Sequence, residues 1–415
     1  MNASPSLRQS PVALLIGVIV LVAALTWLVG WAWPLVIFLI IVMVMGHEFG
    51  HFITAKRAGL LVTDFFVGFG PIVWSTTRGE TRYGVRALLL GGYVKVPGMA
   101  WGQPVDPAIE NRTYREASYP RKVLFASAGS LMHVIMALAL AWASLAFIGV
   151  ASSSHVGIGA FDPWQGHSRN AAQLAGLRVG DQILSVDGHR ITNEDQLVNL
   201  VHRSTGKRLT LLVERGGHEL TLHATPVSGT TIKEDGRTLS KGGYIGVQIT
   251  DLTVHESALA AIPHAVTQVG SLIGDAARAI VHVFSPGDFR SLFHQVASPA
   301  AATNPKNEDS RPDSIVGVSR IAVEAANAGP GQLILILVAV NIFVGLLNML
   351  PLLPLDGGYV AIATYERLRS RRGVRYHADI NKMAPVIYAF MAVLLVLFAS
   401  TLYLDIAHPI ANPFN

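Results

Sequence analysis

The 415-residue chain contains no cysteine and little charge. Without cysteine there can be neither disulfides nor thiolate metal sites, so a bound transition metal would have only His, Asp and Glu to hold it. Charged residues make up 14% of the chain against 51% hydrophobic, and the mean hydropathy is +0.43. That balance excludes an ordinary soluble domain and points to a membrane protein. The net charge of +5 comes from Lys and Arg spread over loops, with no long basic run and no interleaving of aromatic and basic residues. Nucleic acid is therefore excluded as a partner, and the lipid bilayer is the expected one. No internal repeat is present.

Five apolar segments, residues 11–30, 34–56, 123–149, 331–350 and 384–404, reach the roughly 20 residues that a helix needs to cross about 30 Å of hydrocarbon. The first has one upstream Arg8 and no small-residue cleavage site, and it reads as an uncleaved span, with a signal peptide as the alternative. The loop from Lys56 to Lys122 and the stretch "YERLRSRRGVRYHADINK" are both basic, which places them in the cytosol. Residues 150–330 and the carboxyl terminus then lie outside. The expected order is an extra amino-terminal transmembrane helix (1–33), a transmembrane helix (34–57), a cytosolic membrane-associated loop (58–122) and a transmembrane helix (123–150). An extracytoplasmic region (151–330) follows, then a broken transmembrane helix (331–366), a basic cytosolic loop (367–383) and a last helix with its tail (384–415).

"GHEFGH", residues 46–51, interrupts the second apolar segment. Ionisable groups cost roughly +2.5 kcal/mol or more each near the middle of a bilayer, so two imidazoles and a carboxylate need a reason to be there. His47 lies 13 residues after Pro34, about 20 Å along a helix, and so beyond the midplane on the cytosolic side. His47 and His51 are spaced i, i+4 and share one helix face, with Glu48 one position round. H-E-x-x-H is the zinc-hydrolase arrangement, in which two neutral imidazoles hold Zn²⁺ and the carboxylate takes a proton from water. The alternative is a chance match, which would leave an unpaired polar trio in the membrane.

Two histidines do not complete such a site, because three protein ligands are the norm. "NMLPLLPLDGG", residues 348–358, offers a third. Pro351 and Pro354 should break the helix there, and Gly357 and Gly358 permit a sharp return. Asp356 on that stretch reads as a ligand beside H-E-x-x-H; alone it reads as the N-cap of the next helix. Between the two motifs, "DFFVGFGPIVWSTTRGETRYGVRALLLGGYVKVPG" alternates apolar and polar residues around an "RGET" turn and reads as β-hairpin.

The "HEFGH" on an early span and "LNMLPLLPLDGG" on a late one, with a PDZ-like segment between them, resemble the site-2 protease family of intramembrane zinc metalloproteases, in its bacterial single-PDZ branch that releases membrane-bound anti-sigma factors. The resemblance covers the chain from about residue 34. It implies a polytopic α-helical membrane protein of about five transmembrane helices, with a membrane-associated cytosolic β-hairpin region and an extracytoplasmic α+β PDZ domain over 151–250. It implies Zn²⁺ held by His47, His51 and Asp356, Glu48 as general base, and Asn348 binding substrate backbone or steadying the oxyanion; a buried Asn tying two helices is the alternative. The hairpin would offer a strand edge, Gly91, Gly92, Tyr93 and Val94, to an unwound substrate, with a plain structural hairpin as the alternative. The implied partners are a single-pass transmembrane protein of anti-sigma type and an upstream site-1 type protease that trims it first. The implied location is the bacterial plasma membrane, with the active site on the cytosolic side.

The chain departs from the family pattern in several places: the second proline of 348–358 is displaced by one residue, and the amino-terminal span is extra. The family often shows G-P-x-x-N where this chain reads "GSLMH", so Ser130 and His133 stand for proline and asparagine, and His133 is read as a helix-packing residue. Phe343 stands where the family commonly has another asparagine, with Asn341 nearby. Residues 255–297 read as amphipathic helical pieces on the outer leaflet surface, and "SPAAATNPKNEDSRPDS" reads as a mobile loop. The competing functions are an ion-coupled transporter, which should show related halves, and a non-catalytic scaffold, which should lack a ligand or the base.

Overall fold

A computed structural model describes residues 11–99, 104–162, 164, 169–234, 237–238, 240–254, 256–304, 311–370 and 376–409. Parts of the loops expected at 298–314 and 367–383, and half of residues 161–170, lie outside the described residues. The chain divides into two compact units, Met1–Trp142 with Pro263–Asn415, and Ala143–Ile262.

The first unit begins with α1 (Pro11–Val29) and α2 (Ala32–Arg57). α2 carries H-E-x-x-H in its last three turns and ends on Lys56 and Arg57, whose charge suits the exposed carbonyls of a helix carboxyl end. α3 (Tyr119–Ala143) packs closely on it through glycines. A methyl at Gly50 would lie 2.5 Å from the Ala128 carbonyl oxygen, and one at Gly46 2.5 Å from Met136 Sδ. This i, i+4 pair of glycines brings the two backbones together as small residues do between membrane helices.

Between these helices, β1 (Asp64–Arg78) and β2 (Thr81–Lys95) form a strongly bent hairpin. Ile72–Arg78 pairs with Arg86–Thr81 around the turn, while Asp64–Val67 lies between Arg82–Val85 and Gly92–Lys95. Gly92–Lys95 therefore has the edge of the sheet. Phe66, fully buried on this sheet, contributes roughly 1.5–3 kcal/mol by leaving water.

The second unit is α+β. The strands of its main sheet are β3 (Val150–Phe161), β4 (Gln182–Val186), β5 (His189–Arg190), β6 (Leu209–Arg215), β7 (His218–Ala224) and β8 (Val247–Val254), and its helices include α4 (Ala171–Leu174) and α5 (Glu194–Arg203). The antiparallel sheet runs β8-β3-β4-β6-β7, with β5 on β4. Period-2 burial of Leu209, Leu211 and Val213 makes β6 a strand, and the i, i+4 pair Leu197 and Val201 seats α5 on the same core, with Asn193 capping its first turn. Asp181 is buried and receives two bonds from the Arg215 guanidinium, at 2.6 and 2.7 Å. Burial alone would raise its carboxyl; hydrogen bonds from Arg215 and the Arg178 backbone hold it below the ordinary range. Because the folded-state pKa is depressed, this stability is complete above the unfolded value of about 3.9 and is lost as pH falls through the folded one.

The carboxyl-terminal half returns to the first unit with α6 (Ala261–Val283), α7 (Pro286–Ala297), α8 (Pro299–Ala302), α9 (Ile315–Ala328), α10 (Pro330–Asn348), α11 (Asp356–Arg369) and α12 (Ala384–Ala407). α9 lies in 315–330, a stretch to which the sequence pattern assigned no element of its own. Ser314 caps it through the Val316 and Gly317 N–H groups, and Ala322, Val323 and Ala326 pack with Val36 of α2 and Leu337 of α10. Among the described residues four helical segments, Ala32–Arg57, Tyr119–Ile148, Pro330–Asn348 and Ala384–Ala407, are long and apolar enough to cross a membrane.

An ion pair ties α12 to the start of α9. Arg311 donates to Asp405 Oδ1 at 2.9 Å and to the His408 carbonyl at 2.9 Å, while Asp405 Oδ2 accepts the Ser314 N–H at 2.7 Å. Both side chains are 1% exposed. Asp405→Ala should lower stability by about 3–5 kcal/mol, because Arg311 is left buried and uncompensated. Unfolding of the full chain in detergent, titrated with SDS, checks this, and Asp405→Ala combined with Arg311→Met should recover much of the loss.

Candidate metal centre

The carboxyl-terminal end of α2 sets two imidazoles on one face, and α3 holds the second nitrogen of one of them. His51 Nδ1 donates to the Phe125 carbonyl oxygen at 2.8 Å, which leaves Nε2 as a lone pair pointing away. His47 Nδ1 is buried over Gly129, with no hydrogen-bond partner of its own. Between them, Gly129 has no room for a side chain. A methyl there would lie 2.5 Å from His51 Nε2 and 2.6 Å from His47 Nδ1.

The third donor comes from 305 residues further on. α10 ends at Asn348, the chain doubles back through the two prolines, and α11 starts at Asp356. The return is tight. A methyl at Gly357 would strike the Met349 backbone, and one at Gly358 would lie 2.6 Å from the Leu353 nitrogen. Asp356 is thus the first residue of α11, with Leu355 at the N-cap position, and its Oδ2 lies 3.2 Å from His51 Nε2 and 3.4 Å from His47 Nε2. The two Nε2 atoms are 3.2 Å apart.

These distances fit a metal ion. A tetrahedron whose corners lie 2.0–2.1 Å from its centre, the usual zinc–nitrogen and zinc–oxygen distance, has edges of about 3.3 Å. Two lone pairs and a carboxylate oxygen at that spacing repel one another unless a cation sits among them, and one shared proton can join only one pair. His47, His51 and Asp356 could therefore hold a single metal ion.

Glu48 lies beside this trio and against the edge strand. A methyl at Gly92 would be 3.1 Å from Glu48 Cγ, and Val94 lines the same cavity as the glutamate. Both glycine and backbone approach are needed for the strand to reach the site. Tyr93 is fixed in turn: its ring stacks on Phe66 at 5.7 Å, and Arg86 donates to its hydroxyl at 2.8 Å. A cavity of about 180 Å³ opens here, lined among others by His47, Glu48, His51, Asp356, Tyr93 and Val94.

Six of the nine candidate residues thus share one cavity, and Gly92 touches its glutamate. Gly91 turns away, with φ +124° and the Phe69 ring where a side chain would be. Asn348 is half-buried at the end of α10 and is not part of the cavity lining. His133 is buried on α3 with Nδ1 3.0 Å from Asn341 Oδ1, and its ring centre is 5.1 Å from that of His47. The sequence reading missed Gly129 and the Phe125 carbonyl. A small residue on an apolar helix hints at close packing, but a main-chain carbonyl leaves no mark in a sequence.

A His-His-Asp donor set beside a glutamate on apolar helices defines the class, a membrane-embedded metallohydrolase. Comparison with known proteins narrows it: the model of peptidase family M50 matches residues 35–395. Zinc metalloprotease Rip1 of Mycobacterium tuberculosis is 30% identical over 404 residues, which cover 89% of this chain and 96% of that protein. Its namesake in Mycolicibacterium smegmatis is 28% identical over 406 residues, 90% and 96% of the two chains. A putative zinc metalloprotease of Nostoc sp. is 28% identical over 335 residues, 80% and 85%. The chain belongs to peptidase family M50, the site-2 protease family of membrane-embedded zinc metallopeptidases.

Gly129→Ala should lower zinc affinity about 10- to 100-fold, the usual loss when the support of metal ligands is displaced. Zinc retained by purified protein after graded chelator treatment measures it, and Gly17→Ala, where a methyl meets nothing within 4 Å, should have no effect.

Proposed function

We propose that this intramembrane zinc endopeptidase hydrolyses a peptide bond in or near the transmembrane helix of a single-pass protein, with His47, His51 and Asp356 as zinc ligands and Glu48 as general base. The observation that supports the reading is the convergence of the three donor atoms beside a glutamate and an unpaired strand edge. Zinc held there supplies Lewis acidity for attack by water at neutral pH. Glu48 takes the proton of the attacking water and passes it to the leaving amine. A helical substrate shields its peptide bonds and must unwind first. Gly92–Lys95, open along one side, pairs with the unwound backbone by strand addition, Tyr93 and Val94 meeting side chains next to the scissile bond. Asn348, close to Asp356 in sequence, binds substrate backbone or steadies the oxyanion.

The basic loops place the site on the cytosolic side of a bacterial plasma membrane, with α1 as a fifth span and the α+β unit outside. That unit is read as a PDZ domain, a reading its order of helix, strand, helix and paired strands supports. Its role is a size filter that keeps bulky ectodomains away from the membrane. The substrate is of anti-sigma type, already shortened by a first protease, in regulated intramembrane proteolysis.

Glu48→Gln should reduce cleavage of a membrane substrate by at least about 10²-fold while the protein keeps its zinc; persisting cleavage overturns the assignment of the base. Deleting residues 156–228 should let full-length substrates be cut, and unchanged selectivity on gel assay counts against the filter.

A further inference from the structure

His47 and His51 share a helix face, yet only one of them has its second nitrogen held. His51 Nδ1 donates to the Phe125 carbonyl, whereas His47 Nδ1 is buried with no hydrogen-bond partner. When His47 Nε2 binds a metal ion, as the function proposed above requires and on which this inference rests, Nδ1 carries the one N–H of the neutral ring and is a donor. A buried donor left unpaired costs about 1–3 kcal/mol, and ligating imidazoles almost always give that N–H to an acceptor.

A pair of residues on the neighbouring helices supplies one. His133 on α3 is 1% exposed, and its ring centre is 5.1 Å from that of His47. α10 presses closely on it: a methyl at Gly345 would lie 2.9 Å from His133 Cβ, and Asn341, one turn earlier, sets its Oδ1 3.0 Å from His133 Nδ1. The direction of that bond is fixed by the other end of the amide. Asn341 Nδ2 donates to the Leu337 carbonyl at 2.8 Å, so Oδ1 is the atom that faces the imidazole, and His133 Nδ1 must carry the proton. Neutral His133 then has its lone pair on Nε2. Tying α3 to α10 uses Nδ1 alone, which leaves Nε2 for another task. Two imidazoles joined by an N–H···N bond of about 3 Å have their centres roughly 5 Å apart, the separation found between His133 and His47.

We propose that His133 is a positioning residue for the metal centre: its Nε2 accepts the N–H of His47, and Asn341 holds it in the tautomer that can do so. The ring planes are tilted by 45°, and the bond closes when the His47 ring turns its Nδ1 toward His133. The chain of bonds then runs from His47 through His133 and Asn341 to the Leu337 carbonyl, and it fixes the plane of this imidazole as the Phe125 carbonyl fixes that of His51. It also ties one ligand to α10, whose continuation past the proline break carries Asp356. Ser130, whose Oγ is buried without a partner one turn before His133, is the rival acceptor.

The test uses the purified full-length enzyme in detergent with Co²⁺ in place of Zn²⁺, because the ring N–H of each imidazole bound to cobalt gives its own strongly shifted, solvent-exchangeable proton signal. The parent should show two such signals. In His133→Phe one of them should exchange faster with solvent while the other is unchanged, and zinc affinity, from competition with a chromophoric chelator, should fall about 10- to 100-fold. His133→Gln, which keeps an acceptor near the place of Nε2, should retain the slow signal and most of the affinity, a rescue that a histidine serving only to pack two helices gives no reason for. Asn341→Leu keeps the His133 ring but releases it, and it should speed the exchange of the same signal alone, which decides the matter if His133→Phe does not hold the metal. Signals left unchanged by both His133→Phe and Asn341→Leu, both signals changed together, no rescue by His133→Gln, or fast exchange appearing in Ser130→Ala instead overturns the proposal. A parent with fewer than two signals overturns the assignment of the ligands as well, so the two failures are distinguishable.

Discussion

Three atoms within 3.4 Å of one another, from positions 47, 51 and 356, are the constraint on which the rest of the membrane unit depends. Two lone pairs and a carboxylate oxygen cannot be held at that spacing inside an apolar bundle without a cation to join them, and each device around them serves to keep the spacing. Gly46 and Gly50 bring α3 against α2. Gly129 yields its side-chain space to both imidazoles, and the Phe125 carbonyl fixes one of them by its tautomer. The prolines and paired glycines of 351–358 end one helix and begin another so that a carboxylate faces the histidines at a helix amino end, where the backbone dipole favours negative charge. Glu48 shares α2 with both histidines and meets the edge of the bent hairpin at Gly92.

The hairpin deserves its place at a membrane site for a physical reason. An exposed strand edge is a liability in most proteins, since it invites pairing with any extended chain. Here Gly92–Lys95 lies next to the metal centre, and its companions Phe66, Tyr93 and Arg86 fix its geometry with stacked rings and a guanidinium bond. Rigid support for an open edge is what recognition by main-chain pairing needs, because the backbone that is read carries no sequence of its own.

Much of this was legible in the residues. The i, i+4 histidines, the acid between them and the broken helix with Asp356 are local patterns whose chemistry follows from helix geometry, and alternation located the hairpin. What stayed hidden depends on contacts between distant stretches. Pairing of β3 with β8 joins residues some ninety positions apart, so no local pattern announces it. α9 was passed over because its small residues, Ala322, Ala325 and Ala326, give little hydropathic signal and gain their helical state by packing, although Ser314 and Gly329 mark its ends. Asn341 and His133, separate oddities in the sequence, prove to be partners across two helices.

The central claim is that one zinc ion joins the two stretches. X-ray absorption at the zinc edge on purified, cysteine-free enzyme tests it most directly. The account predicts a four-coordinate shell of nitrogen and oxygen at about 2.0–2.1 Å with the outer-shell scattering of two imidazoles, and loss of one oxygen contribution in Asp356→Ala. A shell with no imidazole scattering, or one that Asp356→Ala leaves unchanged, would contradict it.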